Sequence, residues 1–173
     1  MNESSEIHYV TGDATQPIGD GPKVIAHVCN DVGAWGAGFV LALSARDRRP
    51  EAQYRRHVTG ADDSSLLGYT YFGPFDPSGQ EGENTGVDVA NMVAQRGFKT
   101  VLNDVPLDYK ALRVCLDGVG FYAAEKGATV HMPRIGCGLG GGKWETVEEA
   151  ILAILVDVYG LDVYVYDLPQ AAS

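Results

Sequence analysis

Two glycine-rich stretches hold most of the chemistry open to this chain. CNDVGAWGAGFV (Cys29–Val40) and RIGCGLGGGKW (Arg134–Trp144) each follow a short apolar run and precede a helical pattern. At a strand-to-helix turn, glycines let main chain approach a ligand and aim N–H groups at it, and the helix start adds partial positive charge. Two such turns facing each other would clasp a diphosphate from both sides. A tight turn alone would explain either stretch taken separately. Neither has P-loop spacing, and the first lacks GxGxxG with an acidic residue about twenty positions on, which disfavours a dinucleotide site. His27 and Cys29 are metal-ligating types, but no complete ligand set stands at usable spacing, so neither metal nor cofactor is expected.

The elements that must position these turns read as alternating strands and helices. Ile7–Val10, Lys23–Val28, Leu66–Phe72, Val87–Gln95, Thr129–Met132 and Val163–Tyr166 are strand candidates. The second and fourth are apolar enough for burial on both faces. Helical spacing covers Ala37–Ala45, a segment opened by Pro50 and running through Tyr54 towards Val58, and Tyr109–Lys126. Thr146-x-x-Glu149 reads as a capping box for a last helix whose buried stripe is Val147, Ala150, Ile151, Ile154, Leu155 and Val158. PFDPSGQEGENTG reads as a surface loop, with 76–86 either an ordered lid or a disordered insertion. This alternation predicts an α/β fold: a mixed, mostly parallel sheet covered on both faces, within a single domain spanning residues 1–173.

The 173 residues carry a formal charge of −10, with 45% hydrophobic and 21% charged residues. Phosphate polymers are repelled at long range by such a chain, so broad nucleic-acid binding is disfavoured, while a phosphate held by local amides is not. No apolar run spans a bilayer, the acidic N-terminus does not read as a secretory signal, and three cysteines without CxxC spacing fit a reducing cytoplasm. A monomer without a membrane partner is expected.

GDAT (Gly12–Thr15), IAHVCNDVGAWGAGFVLAL (Ile25–Leu43), MPRIGCGLGGGKWETV (Met132–Val147) and VYVYDL (Val163–Leu168) resemble the macrodomain family, in order and over nearly the whole chain. The branch they resemble contains the terminal ADP-ribose protein glycohydrolase, the DNA-ADP-ribosyl glycohydrolase antitoxins and ADP-ribose-1″-phosphate phosphatases. The resemblance implies a three-layer α/β/α fold with an ADP-ribose cleft at the sheet's carboxyl edge. It places Asp13 and Ala14 at the adenine, with Asp13 accepting from its amino group and Tyr166 and Leu168 near the ring. The amides of Gly33, Ala34, Trp35, Gly36, Ala37 and Gly38, and of Ile135, Gly136, Cys137, Gly138, Leu139 and Gly140, would hold the diphosphate. Asn30 would sit by the distal ribose.

Two positions depart from that pattern. The glycohydrolase lysine falls on Gln95, and its partner aspartate on Gly140. An amide nitrogen is not nucleophilic, so a covalent lysine route is closed. Asn30, Gln95, His27 and Arg96 remain as candidates for chemistry: the first two to fix ribose hydroxyls and a water, His27 as in the phosphatase branch, and Arg96 to contact the modified target. His27 also reads as a structural histidine, Trp35 as packing, Arg96 as solvated surface and Asp31 as a turn residue or cap. Cys137 and Trp144 read as structural, and Asp62–Asp63 and Glu81–Glu83 as solvated surface. Three functions follow: an ADP-ribosyl hydrolase acting on ester linkages to acidic residues of proteins, or on nucleic-acid bases; a reader that binds ADP-ribose without turnover; and a phosphatase or O-acetyl-ADP-ribose deacetylase.

Overall fold

The structure is a computed structural model that describes residues 4–58 and 66–170. Strands β1 (Ile7–Thr11), β2 (Lys23–Asn30), β3 (Thr70–Pro74), β4 (Val87–Gln95), β5 (Thr129–Pro133) and β6 (Val163–Asp167) form one sheet in the order β1-β6-β5-β2-β4-β3. Every neighbouring pair is parallel except β3 with β4. Successive side chains of a strand face opposite sides, and β2 and β4 show what this does. Val24, Ala26, Ala90 and Met92 enter one core with α3 (Tyr109–Lys126) and α4 (Trp144–Ile151). Ile25, Cys29, Val89 and Val93 enter a second core with residues of α1 (Phe39–Arg46) and α2 (Arg49–His57). The result is the expected three-layer sandwich. Leu112 and Leu116 of α3 are fully buried, each contributing about 1.5–3 kcal/mol relative to exposure.

Helix α3 has the bounds its periodicity predicts, because both ends are capped locally. Asp108 accepts from the Ala111 amide, and Gly127 closes the helix in the left-handed region. Elsewhere tertiary geometry moved the boundaries. Helix α1 starts at Phe39 rather than Ala37, since Gly38 has φ +82. Strand β3 starts at Thr70 rather than Leu66, because residues 66–68 form a turn.

The Thr146/Glu149 capping box is not used: α4 begins two residues earlier, at Trp144, and no side chain caps it. Beyond Ile151 the chain continues as a π-helical segment, Leu152–Val158, with Tyr159 N donating to Ile154 O. The wider turn rotates the buried stripe, so Val156 is inside and Val158 is 71% exposed, contrary to the α-helical reading. Loop 76–86 is an ordered surface loop. Asp76 accepts from Ser78 N and Oγ and from Gly82 N, and its own amide donates to buried Asp47. Asp62–Asp63 lie outside the described residues.

Candidate functional site

Strands β6, β5, β2 and β4 are mutually parallel, so their carboxyl ends and the loops that follow share one edge of the sheet. Between the loop after β2 and the loop after β5 lies a cleft of about 580 Å³. Its lining joins two segments about a hundred positions apart in sequence, the glycine stretches that begin at Cys29 and Arg134.

The first loop is anchored before it is free. A bulge at Cys29/Asn30 sets Asn30 opposite Gln95. Asn30 Oδ1 accepts from Val32 N (3.1 Å) and Ala34 N (3.0 Å), and Nδ2 donates to Ala34 O (2.8 Å). Buried Tyr54 Oη lies 2.6 Å from Asn30 O and 2.8 Å from its Oδ1, and accepts from Gly33 N at 3.1 Å. Arg55 donates to Gly33 O. From Gly36 onward the pattern reverses: the amides of Gly36, Ala37, Gly38 and Phe39 meet no acceptor among the described residues.

In the second loop, the carbonyls of Gly136, Gly138 and Gly140 accept from Gly142, Gly141 and Leu107. The amides of Ile135, Gly136, Gly138, Leu139 and Gly140 meet no acceptor among the described residues. All five residues line the cleft, as do the four of the first loop. Lining residues on both walls, beside the start of α1, therefore carry N–H groups without an acceptor among the described residues, a donor type that suits phosphoryl oxygens.

The glycines themselves answer to two different demands. A Cβ at Gly140 would stand 2.6 Å from Gly136 O, and one at Gly142 would stand 2.5 Å from Leu107 Cδ2. Those two are small because the protein packs against them. A Cβ at Gly36 or Gly138 would meet nothing within 4 Å. Those two face open space along the cleft.

The floor and the β4 end carry the polar side chains. His27 is 2% exposed and its Nε2 lies 2.5 Å from Asn91 Oδ1, so Nε2 carries the hydrogen and donates it. Asn91 Nδ2 donates to Pro50 O, which orients the amide that receives that hydrogen. Burial lowers the His27 pKa to about 4, so the ring is neutral, while burial also pushes the neighbouring Cys29 thiol well up. Gln95 lines the cleft and donates from Nε2 to Gly97 O. Buried Asp31 neither caps a helix nor enters the lining. Its Oδ1 accepts from Gly97 N at 2.7 Å and so ties the loop after β4 to the first loop. Phe98 and Lys99, just beyond, line the cleft.

At the other end of the edge, Asp13 Oδ1 accepts from Thr15 N and Oγ1. Tyr166 Oη bonds to fully buried His131, whose pKa burial lowers to about 3, and accepts from Ile18 N. Arg134 makes a two-pronged ion pair with Asp167 and lies over the rings of Tyr9 and Trp144.

Of the residues expected from sequence, the cleft lining unites His27, Asn30, Ala34, Gly36, Ala37, Gly38, Gln95, Ile135, Gly136, Gly138, Leu139 and Gly140. Asp13, Ala14, Tyr166 and Leu168 lie outside the lining, at the β1/β6 end of the same edge. Several expectations need correction. The amides of Gly33 and Ala34 are consumed by Tyr54 and Asn30 and cannot serve a ligand as placed. Trp35 is absent from the lining; its side chain is buried, the indole donating to Ser44 and packing edge-on to His27, as the packing reading has it. Arg96 pairs with Asp108, the cap of α3, and is absent from the lining, as is Cys137. Lys99, Phe98 and Arg134 were not singled out as site residues. No motif marks the first two, and only their closeness to Gln95 in sequence could have drawn attention to them.

No family model matches the chain. A macrodomain protein from Streptomyces coelicolor, of known structure, is 45% identical, with 94% of this chain and 99% of that one covered at a TM-score of 0.74. The chain belongs to the macrodomain family. Two curated relatives extend this. The chromodomain-helicase-DNA-binding protein 1-like of Mus musculus is 34% identical over 99% of this macrodomain, which spans 19% of that protein's length. The ADP-ribose 1″-phosphate phosphatase of Meyerozyma guilliermondii is 26% identical over 90% of this macrodomain and 98% of its own length. This macrodomain has Gln95 and Gly140 where the resemblance to the protein glycohydrolase places lysine and aspartate.

Proposed function

We propose that the cleft binds ADP-ribose and that the protein hydrolyses ADP-ribose from ester linkages to acidic side chains. The observation that carries this reading is that lining residues of both loops, four in one and five in the other, have amides with no acceptor among the described residues. They suit the diphosphate of ADP-ribose, the compound whose 1″-phosphate the Meyerozyma relative acts on by name. Adenine lies towards Asp13 and Tyr166, and the distal ribose lies beside Asn30 and Gln95.

An ester linkage needs the least catalytic help. The C1″–O bond breaks, the electron pair leaves with a carboxylate whose ordinary pKa is about 4, and no general acid is required. Water oxygen bonds to C1″ and its proton passes to solvent. Gln95 and the second amide hydrogen of Asn30 fix the ribose hydroxyls and the water, and the held diphosphate orients that water. Serine- and arginine-linked ADP-ribose have poorer leaving groups and are released more slowly. The test is release of ADP-ribose from glutamate-linked and serine-linked peptides of the same sequence. Faster serine release refutes the ester preference, and no release from either peptide refutes the hydrolase reading.

One observation favours a reader as the second reading: Asn30 is largely spent on holding its own loop, which leaves few groups to act on a water. Binding of a glutamate-linked ADP-ribosylated peptide without release of ADP-ribose would establish it. The phosphatase reading draws less support, because His27 Nε2–H is committed to Asn91 and burial disfavours the protonated ring.

A further inference from the structure

We propose that Lys99 is a specificity-determining residue that reads the target side of the linkage, donating to the ester carbonyl oxygen through which an acidic residue carries ADP-ribose. The proposal rests on the hydrolase or reader assignment of the cleft and deepens it.

Along the sheet edge the order is β6, β5, β2, β4. A ligand whose adenine lies at the β6 end therefore presents C1″, and whatever is attached to it, at the β4 end. Lys99 lines the cleft there, four residues beyond Gln95. The only other cationic side chain in the lining, Arg134, follows β5 and is committed to Asp167. Lys99 makes no ion pair among the described residues.

The segment that carries Lys99 is built rather than loose. Gly97 N is held by buried Asp31, Thr100 and Asn103 close a two-residue turn with reciprocal main-chain bonds, and Asn103 Nδ2 donates to Arg96 O and Phe98 O. These contacts fix the backbone on both sides of Lys99. Charge gives the second argument. A protein of formal charge −10 repels an acidic target segment, so an ammonium at the exit of the cleft with no ion-pair partner among the described residues is what admits one. As the C1″–O bond breaks, negative charge grows on the departing carboxylate beside that ammonium. The lysine forms no bond to the sugar.

The test compares wild type with Lys99→Gln and Lys99→Arg on glutamate-linked and serine-linked peptides, with free ADP-ribose as control. Lys99→Gln is expected to slow release from the glutamate-linked peptide by about fivefold, the upper end for removing one exposed charged contact. Lys99→Arg recovers most of the rate, serine-linked release changes less than twofold, and free ADP-ribose affinity is unchanged. Equal slowing of both linkages, or wild-type release of the glutamate-linked peptide by Lys99→Gln, overturns the proposal. If wild type turns over neither peptide, the hydrolase reading fails while Lys99 is still tested by affinity. The glutamate-linked peptide must then bind Lys99→Gln several-fold more weakly than wild type, with free ADP-ribose unaffected, and no difference overturns it.

Discussion

The crowding at Gly140 and the open space at Gly138 make the amide-row reading testable with two methyl groups. A Cβ at position 140 stands 2.6 Å from Gly136 O and 3.0 Å from its carbonyl carbon. That is short of ordinary contact by about 0.8 Å, and the obstacle is backbone that cannot rotate away. Gly140→Ala must therefore lever the second loop open. Overpacking of this kind costs about 2 kcal/mol, which for a chain of this size lowers Tm by roughly 4–8 °C. Shifting the loop also misaligns amides, and losing two hydrogen bonds to a charged phosphate costs about 3 kcal/mol or more, so Kd for ADP-ribose weakens by about 100-fold. Gly138→Ala meets no protein atom within 4 Å. Its Tm stays within about 1 °C of wild type, while its methyl occupies cleft space and weakens ADP-ribose binding by about 10-fold. Differential scanning fluorimetry and calorimetric titration read both quantities. Gly140→Ala with wild-type Tm and Kd, or Gly138→Ala with wild-type Kd, would refute the reasoning. The same geometry predicts that Gly140→Asp, which restores the aspartate of the resembled glycohydrolases, destabilises the loop instead of adding activity.

Tyr54→Phe leaves the Gly33 amide without its acceptor and Asn30 without a donor, and should cost about 1–3 kcal/mol in urea unfolding. Gln95→Ala should slow ADP-ribose release by about 10-fold or more while changing its Kd less than threefold, because the residue acts on the reacting end and not on the diphosphate. An equal loss in both would place it in binding instead. Stability should fall with acid. His27 is held neutral by burial with a pKa of about 4, so between the ordinary value of 6.5 and about 4 the unfolded chain binds a proton that the native ring refuses. Each such histidine removes about 1.4 kcal/mol per pH unit across its window. His131 adds the same sign down to about 3. Urea midpoints that stay flat from pH 6.5 to 4 would contradict the burial argument.

Sequence alone was enough where a local pattern met no competing tertiary contact. Strand β4 and helix α3 appear with the bounds their periodicity predicts, because hydrophobic spacing and the Asp108 and Gly127 caps act over a few residues. The two glycine stretches stand where the strand-to-helix reading put them. Only the tertiary structure decided which glycines are empty space and which are crowded, since Gly140 and Gly142 answer to Gly136 and Leu107 across a folded loop. Likewise, whether an amide is spent or free depends on partners brought from elsewhere, as Tyr54 is to Gly33 and Leu107 to Gly140. Arg96 and Lys99, three positions apart, have opposite surroundings because Asp108 at the start of α3 captures the one and not the other. Composition and spacing describe what a side chain can do, but contacts made across long stretches of chain determine what remains available to a ligand.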